Sequence, residues 1–248
     1  MGNSKKPGHS PQSAGQAASH SPFAIPHSRL HLLYGGTFDP VHNGHLAIAC
    51  AARDALGCVV RLMPAADPPH RAAPGAGAAQ RARMLDLAVA GIEGLLVDRR
   101  ELARQGPSYT IDTLRELRAE LGPVAPLALL VGADSFIGLP TWRDWRMLFQ
   151  YTHFVVARRP GSPLDADLPG ELAAVAEGRW AGSVGEQGQG PAGRLILLDE
   201  PVHPESASEI RRRIAGQGEW EALVPPQVAE FIRSQGLYAA PGSEHSPL

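Results

Sequence analysis

The sequence predicts an α/β fold, a Rossmann-like doubly wound parallel sheet followed by a small helical C-terminal subdomain. Three observations predict it. Short apolar runs alternate with stretches of helical length and helical apolar spacing. Glycine or proline closes several of the apolar runs, as expected where strands turn into loops. The 248 residues suffice for one α/β domain with a full core and a small appendage.

The elements follow in order. Residues 30–34 read as a short buried strand, ended by Gly35-Gly36. Residues 44–56 read as a helix, with Leu46, Ala47, Ala49, Cys50 and Leu56 apolar against polar Arg53 and Asp54. Residues 59–64 give a second strand. With parallel strands this is a right-handed βαβ unit. A helix over 80–90, a strand over 95–98, a helix over 110–121 and a strongly apolar strand over 127–132 continue the rhythm. A helix over 142–149 and a strand over 152–157 come next. Such alternation predicts a parallel sheet covered by helices on both faces.

Residues 162–193 break the pattern with many Gly, Ala and Glu residues. They read as a variable surface insertion with a short helix at 170–177. A last strand over 194–198 and helices over 208–216 and 227–235 finish the chain. The expected organisation is a disordered tail over 1–28, an α/β domain over 29–205, a helical subdomain over 206–240 and a second disordered tail over 241–248.

Composition narrows the function classes. Net charge is −2 with 44% hydrophobic and 19% charged residues, ordinary for a soluble enzyme. Neither a nucleic acid nor a membrane surface is an expected partner. No apolar run is long enough to span a bilayer, and no apolar h-region precedes residue 23. A cytoplasmic location is expected. Cys50 and Cys58 are too few for a disulfide framework or a zinc site and read as small core residues. The histidines of the first tail, His9, His20 and His27, read as solvated.

Chemistry concentrates in Gly35-Gly36-Thr37-Phe38-Asp39-Pro40-Val41-His42-Asn43-Gly44-His45. Two glycines after a buried strand let the backbone turn sharply and approach a ligand. The helix that follows presents free N–H groups and a positive dipole end. His42 and His45, three apart, share a face there, and two imidazoles beside exposed amides make a cup for a polyphosphate. A His-x-x-His metal pair is the other functional reading, but it lacks a third ligand at recognisable spacing. Asp39 beside an anion site reads most simply as a cap of the turn or helix start.

This string resembles the HxGH signature of the nucleotidyltransferases. Further motifs follow: Pro68-Pro69-His70-Arg71, Pro107-Ser108-Tyr109-Thr110, Gly132-Ala133-Asp134-Ser135, Leu139-Pro140-Thr141-Trp142, Ala157-Arg158-Arg159-Pro160-Gly161 and Ser206-Ala207-Ser208-Glu209-Ile210-Arg211. In this order they resemble the bacterial nicotinate-nucleotide adenylyltransferase family over residues 30–238. The sequence departs from the family pattern at three places. Ser208 replaces Thr, Ala65-Ala66 replaces a substrate-contacting Asn or Thr, and Arg143 stands where relatives often have Tyr or His. Ala65-Ala66 and Arg143 are therefore expected to act through their main chains.

The resemblance implies transfer of the adenylyl group of ATP to nicotinate mononucleotide, with Mg²⁺ accompanying ATP and no protein ligand assigned to the metal. It implies that Gly35, Gly36, Thr37, Phe38, His42, His45, Ser208 and Arg211 hold ATP, with His42, His45 and Arg211 catalytic. It assigns Tyr109, Thr110 and Trp142 to the nicotinate ring and its carboxylate, and Asp134 to ribose hydroxyls. Arg71 and Arg159 are candidates for the substrate phosphate, with a surface role equally open for each. Trp142 could instead pack in the core, although a crossover segment is a poor place for that. Arg212 and Arg213 read as a plain basic helix face. Trp145, Trp180 and Trp220 are expected to pack. Gly75 and Gly77 mark the segment near Arg71 as a candidate lid. A monomer or small homo-oligomer is expected. Rival readings are an adenylyltransferase for pantetheine phosphate or FMN, a non-catalytic nucleotide sensor, and a regulator recruited through the N-terminal tail.

Overall fold

The computed structural model describes residues 29–66, 75–104, 106–158, 164, 168–181, 190–199 and 205–240. The expectations for 1–28 and 241–248, for much of 162–193, and for Arg71 and Arg159 fall outside the described residues.

Six parallel strands form one sheet in the order β3-β2-β1-β4-β5-β6. They are β1 (His31–Gly36), β2 (Val60–Pro64), β3 (Leu95–Val97), β4 (Leu127–Gly132), β5 (His153–Arg158) and β6 (Leu195–Asp199). The chain winds outward from β1 to β3, returns to lay β4 against the other side of β1, and winds outward again. This is the doubly wound order with its switch point between β1 and β4.

The period-two alternation of the strands divides the core into two layers. Leu32 and Tyr34 of β1, Ala128 and Leu130 of β4, and Val155 and Ala157 of β5 point to one face. They meet α1 (Asn43–Leu56) and α2 (Ala78–Val89) there. Leu33, Leu127, Leu129, Val131, Phe154 and Val156 point to the other. That face is covered by α3 (Thr110–Leu121), α5 (Trp145–Tyr151) and α6 (Gly170–Ala176). Helix α1 stops at Gly57, whose left-handed backbone (φ 56°) lets its N–H cap the Arg53 carbonyl. Leu172 of α6 is fully buried against the second layer, so this part of the expected insertion belongs to the core.

The C-terminal helices α7 (Ala207–Ala215) and α8 (Pro226–Ser234), with a 3-10 turn at Glu221–Leu223 between them, share the first layer. Ile210, Trp220, Val228 and Ile232 are buried in it.

One expected helix is corrected. Residues 142–149 do not form a single helix. A short α4 (Ala133–Ile137) follows β4 directly, and a 3-10 turn at Leu139–Thr141 comes next. The Trp142 N–H closes that turn on the Leu139 carbonyl at 2.9 Å, and the Thr141 hydroxyl donates to Gly138 O at 2.8 Å. Trp142 is extended, Asp144 takes a left-handed conformation (φ 52°), and α5 begins only at Trp145. Trp145 and Trp220 are buried as expected. Trp180 is only partly packed: it stands edge-on to Phe136 with 39% of its surface exposed.

Candidate active site

A cavity of about 690 Å³ opens at the carboxyl ends of β1 and β4, over the switch point. Open α/β sheets bind ligands there because connections leave in opposite directions and part above the strand ends. One half of the cavity is lined by residues 34–39, His45, Ser208 and Arg211. The other is lined by Ser108, Tyr109, Thr110, Asp134, Trp142 and Arg143, with Glu101 at the back.

The loop after β1 turns on Gly36. A Cβ there would lie 3.0 Å from the Phe38 ring. Phe38 has a left-handed backbone (φ 50°), and its ring is buried against Tyr34 and His45. Its ring thus packs as a core group.

His42 is the N-cap of α1, and the His42 carbonyl accepts the N–H groups of His45 and Leu46. The His45 Nδ1 in turn accepts the His42 N–H at 3.2 Å. A histidine three residues into the helix therefore takes the reach-back role usually filled by Glu or Gln. With Nδ1 used as acceptor, the neutral ring carries its proton on Nε2. The two imidazoles lie 3.6 Å apart, centroid to centroid. His45 lines the cavity, whereas His42 is buried beneath it.

Asp39 is neither the helix cap nor a bystander. It is 4% exposed. Its Oδ2 accepts the Gly75 N–H at 2.8 Å, and its Oδ1 accepts the Ala76 N–H at 3.0 Å and the Tyr238 hydroxyl at 2.7 Å. Arg211 donates to the Asp39 carbonyl at 2.6 Å. Gly75, expected in a lid, is pinned by this carboxylate.

Arg81, 1% exposed, was not expected in the site. Its guanidinium donates to the carbonyls of Thr37, Ala66 and Ala76 at 2.7, 2.9 and 3.2 Å. Burial lowers its proton affinity, and Asp39 offsets this in part. One signal was available: Arg81 lies on the same helix face as Met84, Leu85 and Ala88, where a solvated arginine does not belong.

Helix α7 points its first turn at the cavity. Ser206 caps it, its hydroxyl accepting the Glu209 N–H at 3.2 Å, while Ser208 and Arg211 line the cavity wall. Arg212 and Arg213 both pair with Glu209 on the exposed side.

In the second half, Tyr109 stands at the N-cap of α3 with Thr110 as the first helical residue. Trp142 is half-buried and Asp134 exposed at the start of α4. The Arg143 guanidinium lies 4.7 Å above the centre of the Tyr109 ring and lines the cavity. This corrects the expectation that Arg143 acts through its main chain alone. Glu101 is buried and accepts the Thr113 hydroxyl at 2.8 Å. Burial raises its proton affinity, against the Thr113 and Ser108 hydroxyls and Arg104, which lower it. Ala65 uses its N–H on the Gly36 carbonyl at 2.9 Å.

Among the described residues no group of three or more His, Cys, Asp or Glu is placed to hold a metal, and no helix is long and apolar enough to cross a membrane.

The cytidylyltransferase-like family model matches residues 33–213, which makes the chain a nucleotidyltransferase, in keeping with its sheet order and switch-point cavity. A Stenotrophomonas maltophilia (strain K279a) protein named "Probable nicotinate-nucleotide adenylyltransferase" is 58% identical over 217 residues, covering 86% of this chain and 98% of the relative. A Xylella fastidiosa (strain M12) protein of the same name is 51% identical, covering 84% and 96%. The chain belongs to the nicotinate-nucleotide adenylyltransferase family. Among solved structures, Plasmodium falciparum nicotinic acid mononucleotide adenylyltransferase complexed with NaAD superposes with a TM-score of 0.64, covering 84% of this chain and 97% of that one. At 14% identity this likeness is one of fold.

Proposed function

We propose that this chain transfers the adenylyl group of ATP to nicotinate mononucleotide, giving nicotinate adenine dinucleotide and pyrophosphate. The observation that carries this reading is one cavity joining a histidine-capped helix start and Arg211 to the Tyr109, Thr110 and Trp142 segments. The substrate's phosphate oxygen attacks the α-phosphorus directly, with no covalent enzyme intermediate. The bond from that phosphorus to the bridging oxygen breaks, and its electrons leave with pyrophosphate. The nucleophile is already an anion, so the step needs no general base. The protein's task is to align two anions and stabilise charge on the α-phosphoryl group.

In this reading, His42 and His45 donate to the ATP phosphates, His45 through its Nε2–H to the α-phosphate. Gly35, Gly36, Thr37 and the Phe38 main chain cradle the phosphates. Ser208 and Arg211 hold the outer phosphates at the start of α7. Trp142 stacks on the pyridine ring, and Tyr109 and Thr110 receive its carboxylate. Asp134 accepts ribose hydroxyls. Arg71 and Arg159, outside the described residues, are the candidates for the substrate phosphate. Mg²⁺ enters bound to ATP, as part of the substrate. Residues 29–205 act as the catalytic domain and 206–240 as a subdomain closing its ATP half. The enzyme works in the cytoplasm as a monomer or small homo-oligomer.

Pyrophosphate release with ATP and Mg²⁺ tests the reading. Nicotinate mononucleotide is expected to be used faster than nicotinamide mononucleotide. Equal use, or the reverse preference, would reject it.

A further inference from the structure

We propose that Tyr238 is a positioning residue for adenylyl transfer, holding the phosphate loop in register with Arg211 through the Asp39 carboxylate. The inference rests on the adenylyl-transfer reading above.

Tyr238 lies 199 residues from Asp39 in sequence and 2.7 Å from it in space. It sits beyond α8, with a left-handed backbone (φ 64°) that side-chain-bearing residues rarely adopt. It does not line the cavity, so any effect on the reaction passes through Asp39. Asp39 can pass it on. It follows Thr37 and Phe38 in the loop, and its own carbonyl holds the Arg211 guanidinium at 2.6 Å. One residue thus joins the phosphate loop, the segment leading into α2 and the C-terminal arm.

The packing around the hydroxyl supports the same reading. Gly75, whose N–H also binds Asp39, has no room for a side chain. A Cβ there would lie 2.9 Å from the Tyr238 ring and 3.6 Å from the Arg211 side chain. Tyr238, Gly75 and Arg211 are therefore packed side by side on the loop. Burial, reinforced by the bond to Asp39, pushes the phenol's proton affinity well above its ordinary value. The hydroxyl therefore stays protonated and donates to the Asp39 carboxylate. Arg81 holds the loop from the other side, at the Thr37 carbonyl.

Steady-state kinetics of Tyr238→Phe test the proposal, at a temperature well below its melting point. The ring remains and only the hydroxyl goes. The expected result is a kcat about tenfold lower, short of the ~hundredfold that a full ångström of misplacement costs. KM for nicotinate mononucleotide should change little. Gly75→Ala, which displaces the ring but leaves the hydroxyl, should lower kcat in the same direction. It carries the decision should Tyr238→Phe fail to fold. Asp39→Asn and Tyr238→Phe should be non-additive in kcat when combined. A Tyr238→Phe protein with wild-type kcat overturns the proposal even if its melting temperature falls, because the hydroxyl would then serve stability alone. An inactive wild-type enzyme would instead reject the proposed function, so the two failures are distinguishable.

Discussion

The two halves of the cavity are built on different principles. Around the phosphate loop the polar groups are buried and cross-bonded: His42 is 7% exposed, Asp39 4% and Arg81 1%. Their partners come from the loop itself, the start of α2 and the C-terminal arm. In the other half Glu101 and Ser108 are buried, but Tyr109, Thr110 and Trp142 are half-buried and Arg143 and Asp134 exposed, and the Arg143 guanidinium over the Tyr109 ring and the Arg115–Asp144 pair link the two segments. Burying Arg81 and Asp39 costs solvation that only a complete set of hydrogen bonds offsets. The chain meets that cost in the half that the proposed function gives to ATP. Fixed dipoles and charges stabilise a transition state most when they need not reorganise.

The largest expected effect comes from striking the rigid half at its exposed donor. His45→Ala removes the Nε2–H assigned to the α-phosphate. Its kcat should fall by about 10²–10³, the loss seen when one preorganised donor is deleted. The same substitution frees the His42 N–H, a helix-end donor that water can reach in part. Its cost to stability should stay near ~1 kcal/mol, as for lost caps. Circular dichroism melting beside steady-state kinetics checks both. Near-normal turnover would dissolve the contrast between the halves, because the rigid half would then be rigid for no catalytic reason.

The halves also differ in how far they could be read from the sequence. The strands follow from short apolar runs bounded by glycine or proline, and the loop after β1 from an eleven-residue string whose glycines and histidines act on near neighbours. Local chemistry of that kind is written locally. The partners of Asp39 are not, since they lie 36, 37 and 199 residues away. With no local pattern to reveal them, Asp39 reads as a cap. Arg81 was missed because arginine in a helical window reads as solvated, although its apolar face position argued otherwise. The helix expected over 142–149 failed at Asp144, whose left-handed backbone delays the helix to Trp145. That break turns Trp142 away from the helix and into the cavity. Arg143 was left to its main chain because relatives often have Tyr or His there, and its place over Tyr109 has no local sequence signal.

A middle-sized effect separates the halves by substrate. Trp142→Ala should raise KM for nicotinate mononucleotide about tenfold, since stacking an aromatic ring on a base is worth ~1–3 kcal/mol. KM for ATP should hardly move. A loss shared equally between the two substrates would mean that Trp142 supports the whole cavity rather than its nicotinate side.

The smallest effect concerns Glu101, the buried acid of the second half. Asp39 accepts three hydrogen bonds and lies beside Arg211, whereas the raised proton affinity of Glu101 marks a carboxylate whose burial is not fully offset. Below the ordinary carboxylate value of 4.5, Glu101 is protonated both folded and unfolded, and burial carries no charge penalty. As pH rises through the higher folded value, the native chain must bury a charge that the unfolded chain leaves in water. Stability is lost in that direction. Glu101→Gln keeps an oxygen acceptor for Thr113 and removes the charge. Relative to wild type, the variant should therefore gain stability between pH 5 and pH 8, by about 1 kcal/mol or less. Urea unfolding at the two pH values measures the difference. If wild type gains on the variant instead, Thr113, Ser108 and Arg104 compensate the carboxylate fully, and the nicotinate half is as well braced electrostatically as the half that holds Asp39.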